Sequence, residues 1–301
     1  MSKVITCTGC VALLFVFASV SVLGDDEAVN EWLAKQQIKI GEQIKESIII
    51  KPVGMSIKDG SITQRLVRPD SLTIWDGSTL MHIAAADGRT NVMIFLKKQG
   101  EDVNAKDNID KTPMHVAAEC GRTRSMQWLK EQGADVNSPN RFGMKPIHLA
   151  AYNGHVESMK WLIEQEVNVN EKDGDGRTPM HFAAEHGHTE SIKWLKEQEA
   201  DINARCNEGT TPMHSAAEFG KLEVMKLLKE LGAEVNAKCN NGESPIYPAA
   251  GSGQIEVMKW LKQEGADLNE RNNCCGETPR NRALSRDQDE AAKWLEENGG
   301  T

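Results

Sequence analysis

Thr112-Pro113-Met114-His115 returns as Lys145-Pro146-Ile147-His148, Thr178-Pro179-Met180-His181, Thr211-Pro212-Met213-His214 and Ser244-Pro245-Ile246-Tyr247, each time 33 residues further on. Thr79-Leu80-Met81-His82 stands one period upstream, and Thr278-Pro279-Arg280-Asn281 stands 34 residues downstream, its turn lengthened by Asn273-Cys274-Cys275. Around each tetrapeptide come an Ala-Ala pair, a Gly, a Met/Trp/Leu stripe and a close such as Gly133-Ala134-Asp135-Val136-Asn137. A fixed period of this length signals stacked supersecondary units, each too small to bury its own apolar face.

One unit reads as a turn followed by two antiparallel helices. Gly143 supplies a permissive turn residue, and Lys145-Pro146 opens a first helix, where the missing proline amide costs nothing. Ala150-Ala151 permits close helix contact, Gly154 ends the helix, and Val156, Met159, Leu162 and Ile163 line one face of a second. The register of all these features resembles the ankyrin repeat family from about Leu72 to the C-terminus. The fold expected is therefore all-α, a solenoid of about seven helix-turn-helix units with β-turn fingers, over residues 71–301. The seventh unit, with Arg282, Arg286, Asp287, Asp289 and Glu290, reads as the polar end cap that such an array needs.

Two further segments precede the array. Residues 1–24 carry Lys3 and then an uncharged stretch around Val11-Ala12-Leu13-Leu14-Phe15-Val16-Phe17-Ala18, with small residues Val22 and Gly24 before Asp25-Asp26-Glu27. This predicts a signal peptide cleaved near Gly24 and an extracellular, secreted chain; the run is short for a stable membrane span. Residues 25–70 read as an N-terminal cap, an amphipathic helix carrying Val29, Trp32, Leu33, Ile38, Ile40 and Ile44, then an extended stretch around Asp59-Gly60.

A net charge of −9, with basic residues dispersed beside acidic ones, disfavours nucleic acid and anionic lipid as partners. Nucleophile-base pairs, phosphate-binding Gly loops and carboxylate pairs set apart from the surface charge are not evident, so no enzyme activity, no cofactor and a monomer are expected. Of the seven cysteines, five lie beyond residue 24. Cys206 and Cys239 sit one repeat apart, about 10 Å for packed helical layers, beyond the about 7 Å a disulfide spans. A bridge from Cys239 to Cys274 or Cys275 in the enlarged turn stays open, as does the reading of all five as turn thiols.

His82, His115, His148, His181 and His214 form a column. One imidazole per layer does not make a metal site, and the family resemblance implies that each bonds the backbone at a helix start and the neighbouring turn. Phe95, Trp128, Trp161, Trp194, Leu227, Trp260 and Trp294 form a second column, read as packing. The resemblance also implies partner contacts on the concave side: the two residues before each turn Gly, the one before the Thr, and the two after Ala-Ala. In this chain those positions include Asn108, Ile109, Lys111, Glu119, Arg141, Phe142, Met144, Tyr152, Asn153, Glu185, His186, Glu218 and Phe219. Aromatic anchors dominate interface energies, which singles out Phe142, Tyr152 and Phe219. The function expected is a secreted, non-enzymatic protein-binding module. Two other readings stay open: an enzyme regulator or inhibitor acting through residues 25–70, and an intracellular adaptor.

Overall fold

The computed structural model describes residues 77–301 and, as strands, 56–58, 61–63, 66–68 and 71–75. The expected signal peptide and the amphipathic helix carrying Val29 to Ile44 lie outside the described residues. The chain divides into two compact units, Met1–Lys58 and Asp59–Thr301. Strand β1 (Ser56–Lys58) belongs to the first, and everything that follows concerns the second.

The second unit opens with β2 (Ser61–Thr63), β3 (Leu66–Arg68) and β4 (Ser71–Trp75); β3 and β4 pair antiparallel, Leu66 opposite Trp75 and Arg68 opposite Ser71. The extended stretch expected around Asp59-Gly60 is thus matched by β1 and β2, which flank it in sequence, whereas β3 and β4 were not anticipated by the all-α reading. Leu72, Thr73, Ile74 and Trp75 are types that favour a pleated backbone.

Fourteen helices follow among the described residues, in seven pairs. The first members are α1 (Leu80–Asp87), α3 (Pro113–Glu119), α5 (Pro146–Tyr152), α7 (Pro179–His186), α9 (Pro212–Glu218), α11 (Ile246–Gly251) and α13 (Pro279–Ser285). Their partners are α2 (Thr90–Lys98), α4 (Thr123–Glu131), α6 (Val156–Glu164), α8 (Thr189–Glu197), α10 (Leu222–Glu230), α12 (Ile255–Gln263) and α14 (Asp289–Glu297). Each first helix packs on the next first helix, and the Ala-Ala pairs explain how. Ala84-Ala85, Ala117-Ala118, Ala150-Ala151, Ala183-Ala184, Ala216-Ala217 and Ala249-Ala250 are all fully buried. Side chains of one carbon let helix backbones approach closely, and the long Met and Leu side chains fill the space towards the second helices.

One apolar core runs through the whole array. Met81, Met114, Ile147, Met180, Met213 and Ile246 line its first-helix side; Met93, Met126, Met159, Ile192, Met225 and Met258 line the second. The Trp column is shallower than a core ladder. Trp128, Trp161, Trp260 and Trp294 pack against the core while half-buried, and only Trp194 is sealed. In the seventh unit Leu284, where the other units carry the second Ala, is exposed, with no further unit packed on it among the described residues.

The turns are joined layer to layer. Arg141 N–H donates to the Ile109 carbonyl at 2.9 Å, Gly174 to Phe142 at 2.9 Å, Asn207 to Asp175 at 2.8 Å, Asn240 to Glu208 at 2.9 Å and Asn273 to Asn241 at 2.7 Å. Each early turn is itself pinned by an Asp or Asn: Asp107 Oδ1 accepts from Ile109 and Lys111, Asn140 Oδ1 from Phe142 and Met144, and Asp173 Oδ1 from Asp175 and Arg177. Gly143 shows why glycine is needed there. Its φ is +72°, and a Cβ would meet the Gly174 nitrogen at 2.4 Å.

Candidate partner-binding face

The first helices of units one to five each start at an extended residue whose backbone N–H donates to a histidine Nδ1: Thr79 to His82 (3.1 Å), Thr112 to His115 (3.1 Å), Lys145 to His148 (2.9 Å), Thr178 to His181 (3.1 Å) and Thr211 to His214 (3.1 Å). An Nδ1 that accepts must be unprotonated, so Nε2 carries the hydrogen and donates onward. It reaches the carbonyls of Lys111, Met144, Glu171, Thr210 and Glu243 respectively, at 2.9 to 3.1 Å. Four of these five lie just before the next unit's cap residue; His148 turns instead to Glu171. Burial keeps the rings neutral, pulling His82 and His148 below the usual imidazole range, His115 down to about 3, and His181 and His214 to about 4. These histidines are hydrogen-bond bridges between layers, with no lone pair left for a metal.

The sixth unit substitutes Tyr247 at the histidine position. It is fully buried, and its hydroxyl lies 2.7 Å from the Glu270 carbonyl and 2.6 Å from that of Glu277. Pro248 follows it inside α11, in the first turn, where the missing amide costs little.

The positions expected to contact a partner fall into two rows. At the turn tips, Asn108, Arg141 and Phe142 are exposed, Phe142 by 56%, while Ile109 and Met144 are half-buried. Arg141 lies 3.6 Å from Asp110. At the ends of the first helices stand Glu119, Tyr152, Asn153, Glu185, His186, Glu218 and Phe219, with Tyr152 exposed by 38% and Phe219 by 46%. Lys111 departs from the expectation of an open contact. Its side chain is buried and its Nζ sits 3.0 Å from Glu119, because the Asp107-pinned turn folds it back onto α3.

The aromatic side chains connect from unit to unit. The Tyr152 ring lies 3.7 Å from the His186 ring and 6.3 Å from Phe182, and His186 lies 6.5 Å from Phe219. Among the described residues the ring contacts of Tyr152 run to the fourth unit and none reaches Phe142. Nearby carboxylates join burial in raising the Tyr152 phenol, with Glu185 the larger of them. The His186 Nε2 faces Glu185 at 3.4 Å without a hydrogen bond.

Sequence reasoning passed over Phe182 and Arg177, which support this row from below. Phe182 is buried, and the Arg177 guanidinium lies 4.4 Å over its ring while reaching Asp173 at 3.2 Å and Glu185 at 3.6 Å. The signal was in the repeat: Arg177 precedes its Thr as Lys111 does, and Glu185 follows Ala-Ala as Glu119 does.

The cysteine bridge left open by the sequence is not made. Cys120, Cys206, Cys239, Cys274 and Cys275 are all thiols; Cys239 is buried under its turn, whereas Cys274 and Cys275 are exposed in theirs. Among the described residues no cluster of three or more His, Cys, Asp or Glu side chains is gathered as a metal needs, and no helix is long and apolar enough to cross a membrane.

The sequence matches the family described as ankyrin repeats (3 copies) over residues 53–140, 126–206 and 147–239, more than half of the chain. The chain belongs to the ankyrin repeat family. Among solved structures it is similar to the human ASB11 ankyrin repeat domain, with a TM-score of 0.60 and 26% identity over 72% of this chain and 98% of that one. No curated protein matches it. Ankyrin repeats generally mediate protein–protein interaction.

Proposed function

We propose that this ankyrin repeat protein is an exported, non-enzymatic binding module that holds a segment of another protein along its concave side, between the turn tips and the ends of the first helices. The observation that carries the reading is the row Tyr152, His186 and Phe219. It spans three consecutive units, is exposed at both ends, and meets the buried Phe182 ring at its Tyr152 end. Exposed apolar area without an evident packing duty marks an interaction surface, and a platform already ordered costs less to dock against. Lys3, the apolar run after it and the small Val22 and Gly24 support export.

Two measurements test the two halves of this reading. Immobilised wild-type chain and a Tyr152→Ala/Phe219→Ala variant are offered the same extracellular fluid; a partner held by the first and lost by the second, with equal melting temperatures, supports the concave site, and equal capture by both refutes it. Mass spectrometry of the secreted product should find an N-terminus near Asp25; soluble protein retaining Met1 to Gly24 would refute export.

A further inference from the structure

In two units the residue before the cap and the first residue after Ala-Ala, eight positions apart, pair with each other. In the second unit they are Lys111 and Glu119, an ion pair of 3.0 Å; in the fourth they are Arg177 and Glu185, at 3.6 Å, with the guanidinium stacked over Phe182. The fifth unit keeps the acid and loses the base. Glu218 stands where Glu119 and Glu185 stand, but Thr210 replaces the cation, its hydroxyl engaged by the Cys206 sulfur at 2.9 Å.

Glu218 is exposed and pairs with no Lys, Arg or His among the described residues. Its surroundings do not compensate. Burial first and Glu185 second push its carboxyl above the usual carboxylate range, against a weaker pull from Arg286 and Arg282, the latter held 3.7 Å from both Glu243 and Glu277. The corresponding position of the sixth unit is Gly251, over which the Arg282 stem lies, its Cγ 3.2 Å from where a Cβ would stand, while its guanidinium is held by Glu243 and Glu277 rather than by Glu218. Phe219, 46% exposed, adjoins Glu218.

We propose that the partner segment is cationic and that one of its arginines seats at Glu218 and over Phe219, supplying from outside what Arg177 supplies from inside to Glu185 and Phe182. A guanidinium suits this place better than an ammonium: it is planar, stacks on an aromatic face and donates a fork of hydrogen bonds to a carboxylate. Tyr152 and His186 then receive an apolar or aromatic neighbour of that arginine, and the net charge of −9 draws such a segment in. The inference rests on the concave-face reading above and adds to it the chemistry of the occupant.

A random linear peptide library panned in parallel on the full wild-type chain, on Glu218→Gln and on Tyr152→Ala/Phe219→Ala tests it. The expected result is arginine enrichment at one position in the wild-type pool. Those peptides should weaken about 10- to 100-fold when that arginine becomes citrulline or when Glu218 becomes Gln, the range for a charge-assisted hydrogen bond; lysine at that position should recover only part of the affinity. Peptides that need Tyr152 and Phe219 but show no arginine preference and ignore Glu218→Gln would overturn the inference while leaving the concave-face reading standing. A pool indifferent to all of these substitutions, or no binders at all, would overturn both.

Discussion

The ring of Tyr152, at the end of the third unit's first helix, lies 3.7 Å from the ring of His186, the corresponding end of the fourth. The contact crosses a layer boundary, so the surface is shared between units rather than owned by one. Tyr152→Ala should weaken partner binding by about 1 to 4 kcal/mol, the range for a truncated aromatic anchor, and Phe219→Ala by a similar amount. Lys196→Ala on the outer helix should cost about 0 to 1 kcal/mol, because exposed charges are screened. Calorimetric affinities for a captured partner, with melting curves alongside, check this; a dominant effect of Lys196 would move the site to the other face.

The five buried histidines make stability depend on pH in one direction. Each is neutral in the folded chain and titrates near 6.5 once unfolded, so between that value and the folded one the unfolded state binds more protons. Stability is therefore full above about pH 6.5 and falls as pH drops towards about 4, by up to about 1.4 kcal/mol per pH unit for each histidine. His181→Gln should be less stable at pH 7 yet lose less stability between pH 6.5 and 5 than the wild type. Denaturant unfolding at several pH values reads this slope; an unchanged slope would mean that His181 is already charged.

Core depth, not side-chain size, should rank the second-helix substitutions. Met159 is fully buried and Trp161 only half so. Met159→Ala should cost about 2 to 5 kcal/mol, and Trp161→Ala less than the about 3 to 5 kcal/mol of a fully sealed aromatic. Comparison of denaturation midpoints for the two variants decides it, the reverse order placing the Trp column in the core after all.

Tyr247→Phe should cost about 1 to 3 kcal/mol, since it removes a hydroxyl bridging the carbonyls of Glu270 and Glu277 without leaving a cavity. Loss of hydrogen-exchange protection confined to the sixth and seventh units would locate the effect. A neutral result would mean that water satisfies those carbonyls.

The helix pairs were legible because a 33-residue period repeats every cap, Ala-Ala pair and apolar stripe in register, so errors at one unit are corrected by the next. The same redundancy revealed which turn positions are exposed. It failed where a side chain answers to one neighbour: Lys111 has the look of a surface lysine until Asp107 and Glu119 are seen to enclose it, and Arg177 was invisible until Phe182 stood beneath it. The half-burial of Trp161 was hidden for a similar reason. A stripe of large apolar residues shows which side of a helix faces inward, not how far in each residue sits. Strand β4 went unread because Leu72 to Trp75 fall inside the span assigned to the array, where only a turn was expected.

The single N–H to C=O link between successive turns, drawn at Arg141–Ile109 and again at Gly174–Phe142, is the same bond made by unrelated side-chain types. Because the main chain makes it, this junction does not specify which unit follows which. Excising a whole 33-residue unit, for example 144–176, rejoins one turn to an equivalent turn with nothing to relearn, whereas deleting one residue shifts every cap out of phase with its acceptor. Copy number is thus a variable that the architecture leaves open to inheritance: a gene for such a chain can lengthen or shorten its groove by unequal recombination and still encode a protein that folds.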